Sequence, residues 1–304
     1  MPNILCVGAL TMDTIFRLEQ LPEAPGKVIP LDAVEVAEGM AAAQAASIAR
    51  LGGKAALWAS AGDDATGDRL VRQIADAGVD CSRVRRVIGG RSGFSSILMD
   101  RAGSTIIVPR YDPSLMAAPE IAPDLAGFDA VMVDVRWPGA AALALQAARA
   151  AGIPGILDAD MAALEVLETL APLASHVVAS EGAGKLLSGT ANAETAATRL
   201  AATHPGFVAV TAGAEGCWWS DTGQIRHSPA LKIEAIDTLA AGDVFHAAFA
   251  LLLAEGRPMA EIIAFASAAA AIKCTRFGGR LGAPTRSEVE AFLRDYRGGH
   301  GILG

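Results

Sequence analysis

Hydrophobic positions recur along this chain in two rhythms. Between residues 130 and 211, short apolar runs at 130–134, 153–157, 176–179 and 206–211 alternate with helical stretches near 139–151, 161–170 and 194–203. Short buried runs spaced by helices predict a parallel sheet covered on both faces, because a parallel crossover needs a dozen or more residues and a helix supplies them. Residues 3–9 read as a further buried strand ending at Gly8,. Helices are predicted at 41–51, closed by Gly52-Gly53, and from Thr66 to Ala77, closed by Gly78, since glycine accepts the left-handed conformation that ends a helix. Ligands in such sheets sit beyond the carboxyl ends of the strands, which places Asp13, in the loop after the first strand, at the crevice.

Residues 14–36 and 93–109 break that rhythm. Phe94-Ser95-Ser96-Ile97-Leu98-Met99 and Ser104-Thr105-Ile106-Ile107-Val108 flank the turn Asp100-Arg101-Ala102-Gly103, the pattern of a hairpin. Together the two segments predict a small antiparallel sheet that projects from the main body as a lid. The expected division is an α/β core of residues 1–13, 37–92 and 110–298, a lid of 14–36 and 93–109, and a glycine-rich flexible tail of 299–304,. An apolar outer face on such a lid predicts a homodimer in which a second copy covers it.

The stretch Asp237-Thr238-Leu239-Ala240-Ala241-Gly242-Asp243-Val244-Phe245 sets small residues and two carboxylates just before an apolar helix. Ala240, Ala241 and Gly242 have almost no side chain, so their backbone N–H groups can approach an anion, and the helix adds its positive dipole end. Asp243 could then accept the proton of a substrate hydroxyl attacking a γ-phosphoryl group, worth roughly 10²–10⁴ in rate. Asp237 is left to hold a cation or to order the loop. The plainer alternative is that Asp243 caps the helix and the small residues only make a turn.

Composition narrows the classes. With 25 basic against 33 acidic residues the net charge is −8, and no dense Lys/Arg run tracks a nucleic-acid backbone. The cysteines Cys6, Cys81, Cys217 and Cys274 are far apart, which indicates neither a zinc site nor a disulfide framework. No apolar run reaches the roughly 18 residues of a membrane span, so a soluble, cytoplasmic protein is expected. The first strand is not followed by Gly-x-Gly-x-x-Gly, which argues against a dinucleotide-dependent dehydrogenase.

On these residues the chain resembles the PfkB/ribokinase family of sugar kinases. The likeness runs from Asn3 to about Tyr296. Its most specific part is 237–245, which the family writes as Asp-Thr-x-Gly-Ala-Gly-Asp or with Ala in the first Gly place. Gly62-Asp63-Asp64 with Gly67, and Thr211, Gly213 and Gly216, add to it. The resemblance implies a ribokinase-like three-layer α/β sandwich with a mostly parallel central sheet and a small antiparallel lid. It also implies ATP-dependent phosphorylation of a primary hydroxyl of a monosaccharide with Mg2+, and K+ as a further cation. By the same resemblance Asp243 is the catalytic base and Ala240, Ala241 and Gly242 form the anion hole. Thr211, Gly213, Gly216, Ala241, Gly242, Cys274 and Gly278 surround the nucleotide, Asp13 grips sugar hydroxyls, and Asp237 meets a monovalent cation or orders its loop. Where the family holds magnesium through Asn-x-x-Glu, this chain reads Ser180-Glu181-Gly182-Ala183, which leaves either Glu181, or Ser180 with a water, for the metal's shell.

Within the family, Asp134-Val135-Arg136-Trp137, Leu157-Asp158-Ala159-Asp160, Asp243-Val244-Phe245-His246 and the run from Lys273 to Arg280 are similar to the bacterial sulfofructose kinases. That likeness implies 6-deoxy-6-sulfofructose as the sugar, with Arg136 and Lys27 on its anionic head. Two departures pull against it. Glu38-Gly39-Met40-Ala41-Ala42-Ala43 stands where the family has Gly-Gly followed by Asn, and an inward Glu38 would repel an anion and favour a neutral polyol or an amino sugar. Arg110 follows Val108-Pro109 where an Asn is expected, and could restore a positive charge. Three readings stay open: a kinase of a ketohexose derivative, a kinase of a neutral sugar or nucleoside such as fructose, ribose or adenosine, and a sugar- or nucleotide-binding regulator without chemistry. His246 reads as a hydrogen-bonded core histidine.

Overall fold

In the computed structural model, which describes residues 1–101 and 103–299, the alternating runs become a nine-stranded sheet between two helical layers. The strands in chain order are β1 (Asn3–Gly8), β2 (Thr11–Arg17), β3 (Asp32–Glu38), β4 (Lys54–Gly62), β5 (Arg85–Val87), β6 (Gly93–Met99), β7 (Thr105–Arg110), β8 (Ala130–Val133), β9 (Gly155–Ala159), β10 (His176–Ser180), β11 (Phe207–Thr211), β12 (Cys217–Asp221) and β13 (Gln224–Ser228). The helices are α1 (Met40–Arg50), α2 (Ala65–Asp76), α3 (Pro138–Ala151), α4 (Leu164–Leu170), α5 (Glu181–Ser188), α6 (Ala193–Thr203), α7 (Ala241–Ala254), α8 (Met259–Cys274) and α9 (Arg286–Gly299). The large sheet runs β13-β12-β11-β10-β9-β8-β1-β4-β5. Every neighbouring pair from β11 to β5 is parallel, and the hairpin β12–β13 closes one edge.

The pleat explains the two apolar layers. Successive side chains of a strand point to opposite faces. Accordingly Ile4 and Cys6 of β1 join the core under α1, α7 and α8, while Leu5 and Val7 join the core under α3, α5 and α6. A strand buried on both faces must read as an unbroken apolar run, which is why β1 and β8 were visible in the sequence. Alanines make up most of the buried residues of α1, whereas α8 buries alanines together with Ile262, Ile263, Phe265 and Ile272. Among the described residues no helix is long and apolar enough to cross a membrane.

The small sheet has the order β3-β2-β6-β7. Its outer pairs are antiparallel, as expected, but the central pair β2–β6 is parallel, because both strands leave the body in the same direction. Asp13 therefore lies within β2 rather than in a loop. Register puts Thr11, Asp13 and Ile15 beside Gly93, Ser95 and Ile97 on one face, and Ile15, Val36, Ile97 and Met99 pack there against Leu239 and Phe277 of the body. The opposite face carries exposed Phe94, Ile106 and Val108. Ala102 of the hairpin turn lies outside the described residues, as do 300–304 of the expected tail; α9 continues to Gly299.

Candidate active site

The site grows from the turn that starts α7. Asp237 is buried, and its carboxylate is fully engaged: Oδ1 accepts from Leu239 N at 2.7 Å, and Oδ2 accepts from Gly278 N at 2.9 Å and Gly279 N at 3.1 Å. The Lys273 ammonium lies 3.0 Å from Oδ1 and donates to the Asp237 carbonyl at 2.7 Å. Burial pulls Lys273 below the usual lysine range, and Asp237 opposes that pull. The cation beside Asp237 is thus one of the chain's own side chains.

Ala240, the N-cap of α7, sits at φ 60° and ψ 10° in the left-handed region, which costs an alanine about 1–2 kcal/mol. This kink turns the Ala241 N–H back onto the Thr238 carbonyl at 3.1 Å, so Ala241 does not face the opening as the sequence suggests. The amides of Gly242 and Asp243 have no backbone acceptor among the described residues, as the first turn of a helix dictates,. A β-carbon built on Gly242 meets nothing within 4 Å. Open space therefore lies before the positive end of α7.

Asp243 is part-exposed beside this opening. Burial pushes its carboxyl well above the usual range, and the charges of Asp158, Asp134, Asp160 and Asp13 push the same way. Those neighbours are held in place by other groups. Asp158 accepts from Gln44 Nε2 at 2.6 Å and meets His246 Nε2 at 3.3 Å. The other nitrogen of His246 faces the Gly242 carbonyl at 2.8 Å, which ties the first turn of α7 to β9. Burial raises Asp158, with the charges of Asp160 and Asp134 adding, and lowers His246. Asp134 accepts from the amides of Ala9 at 2.8 Å, Ala41 at 3.0 Å and Arg136 at 2.7 Å, clasping β1, β8 and α1 together.

The sugar side of the crevice is rich in carboxyls. Asp13, on the inner face of β2, accepts from Thr11 Oγ1 at 2.9 Å, and burial raises it. Glu38, which follows on to Gly39 at φ 100°, points inward and accepts from Arg280 N at 2.7 Å. Burial pushes it up to about 8, with Arg280 opposing and the charges of Asp13 and Asp243 adding. Arg136 donates to Met161 O at 2.9 Å and pairs with Asp160 at 3.2 Å. It also lines a cavity of about 290 Å³ with Gly8, Thr11, Tyr111 and Trp137. Lys27, on the loop between β2 and β3, and Arg110, at the end of β7, are exposed, and neither bonds to these residues among those described.

On the other side, Thr211 ends β11 and donates to Ala179 O at 3.3 Å. Gly213 at φ 51° and Gly216 at φ 99° shape the turn into β12; a β-carbon on Gly216 would lie 2.1 Å from Ser228 O. Cys274 is half-buried, its thiol raised by burial, and its carbonyl accepts from Ile236 N at 2.7 Å and Asp237 N at 3.1 Å. Gly278, at φ 106°, holds Asp237. Ser180 caps α5 and donates to Asp160 at 3.1 Å, while Glu181 meets Lys185 at 3.5 Å on the surface of that helix. Among the described residues no three His, Cys, Asp or Glu side chains are grouped to hold a metal ion. Sequence reasoning missed Lys273, Gln44 and the inward Arg280. A lysine at the end of an alanine-rich helix reads as a dipole partner in solvent, so only its unbroken apolar context hinted at burial.

The model of the family described as "pfkB family carbohydrate kinase" matches residues 1–286. The ribokinase of Bacillus subtilis strain 168 is 28% identical over 297 residues, covering 96% of this chain and 100% of its own. A crystal structure from Agrobacterium tumefaciens, provisionally described as a ribokinase, is 45% identical with a TM-score of 0.96, covering 98% of this chain and 99% of its own. The Arabidopsis thaliana ribokinase, solved with ribose and ATP, is 25% identical with a TM-score of 0.79, covering 96% of this chain and 98% of its own.

Proposed function

Because the chain belongs to the pfkB family of carbohydrate kinases, we propose that it transfers the γ-phosphoryl group of ATP to a primary hydroxyl of a neutral, hydroxyl-rich monosaccharide. The observation that carries this reading is Asp243 at the open N-terminus of α7, beside two amides without backbone acceptors. Asp243 takes the hydroxyl proton as the sugar oxygen attacks, and the Gly242 and Asp243 amides meet the charge that develops on the phosphoryl oxygens. Positioning and charge stabilisation supply most of the rate in such transfers. Thr211, Gly213, Gly216, Cys274 and Gly278 border the nucleotide in this reading. Mg2+ travelling with the nucleotide would neutralise phosphate charge, and in this reading Glu181, the first residue of α5, would hold its water shell. ADP release with Asp243→Asn beside the native chain tests the base assignment: loss of turnover with an unchanged melting temperature is expected, and a variant retaining a tenth of the rate would refute it.

The neutral sugar rests on charge. Asp13, Glu38 and Asp243 share the crevice, and the charge of Arg136 is matched by Asp160. Sugar hydroxyls can donate to these carboxyls or accept from them in either protonation state, whereas a sulfonate would find no unmatched positive charge among them. One observation favours the anionic reading instead: Arg136 still lines the cavity. Turnover of ribose, fructose, adenosine and 6-deoxy-6-sulfofructose compared side by side decides between them, and binding without transfer throughout would point to a regulator. The small sheet acts as the lid in this proposal, and a second copy covers Phe94, Ile106 and Val108 on its outer face. Sedimentation at working concentration tests the dimer.

A further inference from the structure

Lys273, in the last turn of α8, has no solvent exposure at all. Its Nζ contacts one carbonyl and one carboxylate oxygen, both from Asp237, at 2.7 and 3.0 Å. The same carboxylate receives the amides of Leu239, Gly278 and Gly279, and the Cys274 carbonyl receives those of Ile236 and Asp237. One ammonium thus lies where the turn before α7 is fastened to the segment after α8. A desolvated cation between a carbonyl and a carboxylate is costly unless both oxygens are held in place, and here backbone amides hold them. Carbonyl and carboxylate oxygens are also the donors that a dissolved monovalent cation would use; in this chain the cation arrives on a side-chain tether, with no ion to bind or lose.

We infer that Lys273 is a built-in monovalent cation: as a positioning residue, it keeps Asp237 and the turn at Thr238–Ala240 in the shape that presents the Gly242 and Asp243 amides, and the protein needs no dissolved monovalent cation. The effect on rate rests on the kinase reading; the effect on the fold does not.

The test compares the native chain with Lys273→Ala and Lys273→Met in choline, sodium, potassium and ammonium chloride at equal ionic strength, reading melting temperature, kcat and KM. The native chain is expected to melt and turn over alike in choline and potassium chloride. Lys273→Ala in choline chloride is expected to lose about 100-fold in kcat with sugar KM changed by less than about 3-fold, the signature of misplaced transition-state donors. Potassium or ammonium should raise its melting temperature and restore about 10-fold of the rate. Lys273→Met, which fills the space with an apolar chain, should fold, stay slow and ignore the salts. Several-fold activation of the native chain by potassium over choline overturns the inference. So does a folded Lys273→Ala whose melting temperature ignores every cation, or a Lys273→Met with native kcat. Should no sugar be turned over, the kinase reading fails and the melting temperatures alone decide. Should Lys273→Ala not fold, the native chain and Lys273→Met decide.

Discussion

Asp237 and Asp243 lie in one turn, and the structure treats them in opposite ways. Asp237 is surrounded by donors: three amides and an ammonium engage its carboxylate in a site closed to solvent. Asp243 is surrounded by other carboxylates and open on one side. A carboxylate with every lone pair engaged is already satisfied and can do little but hold the chain. One whose charged form is disfavoured, beside an opening, is ready to take a proton. The same residue type therefore serves as a fastener or as a candidate base according to its company.

The largest effect should come from exchanging each for Asn. Asp243→Asn is expected to lower kcat about 10³-fold or more while leaving the melting temperature unchanged or raised, since it removes a disfavoured charge. Asp237→Asn leaves a buried ammonium poorly paired, a loss on the order of 3 kcal/mol that denaturant unfolding would read, with activity falling alongside. Equal stability losses in the two variants would erase the contrast between them.

A finer test concerns the neighbours of Asp243. Because negative charge at Asp158 helps to hold the Asp243 carboxyl up, Asp158→Asn should let Asp243 ionise at lower pH. The acid limb of the kcat/KM profile should then move to lower pH. An upward move would mean that Asp158 acts through His246 rather than through its charge.

Glu38 extends the contrast to stability. Its folded pKa is raised from 4.5 to about 8, so the folded chain keeps a proton that the unfolded chain releases. The stability this gives is complete below about 4.5 and is lost as pH rises through about 8,. Glu38→Gln should flatten the fall in melting temperature between pH 5 and 8, and an unchanged slope would reassign it to the other buried carboxyls. The smallest effect is at Ala240. Glycine there removes the left-handed strain and should add about 1 kcal/mol of stability, read in urea, with little change in rate.

Much of this was legible in the chain. The alternation of β8 to β11 with their helices could be read because each strand is buried on both faces, and the 237–245 signature because its chemistry is contiguous. What could not be read depends on contacts across the fold. Glu38 and Arg280 are separated by 242 residues, and nothing near either one announces the other. Lys273 reaches Asp237 across 36 residues, and its burial follows from the packing of α8 rather than from local pattern. Asp13 was placed in a loop because β2 begins almost as soon as β1 ends, too soon for a turn signal. The Ala241 amide was counted as free because a sequence does not reveal which alanine takes a positive φ.

The parallel pair at the centre of the small sheet has a mechanical meaning. β2 and β6 enter it from the body at Thr11 and Gly93, and β3 and β7 return at Glu38 and Arg110. All four covalent joints therefore line one border, as pages meet at the spine of a book, and the turns between the strands form the free border opposite. A peptide inserted beside Gly103 leaves each joint intact, so that turn is where an affinity tag or a dye can ride on the sheet without disturbing Asp243.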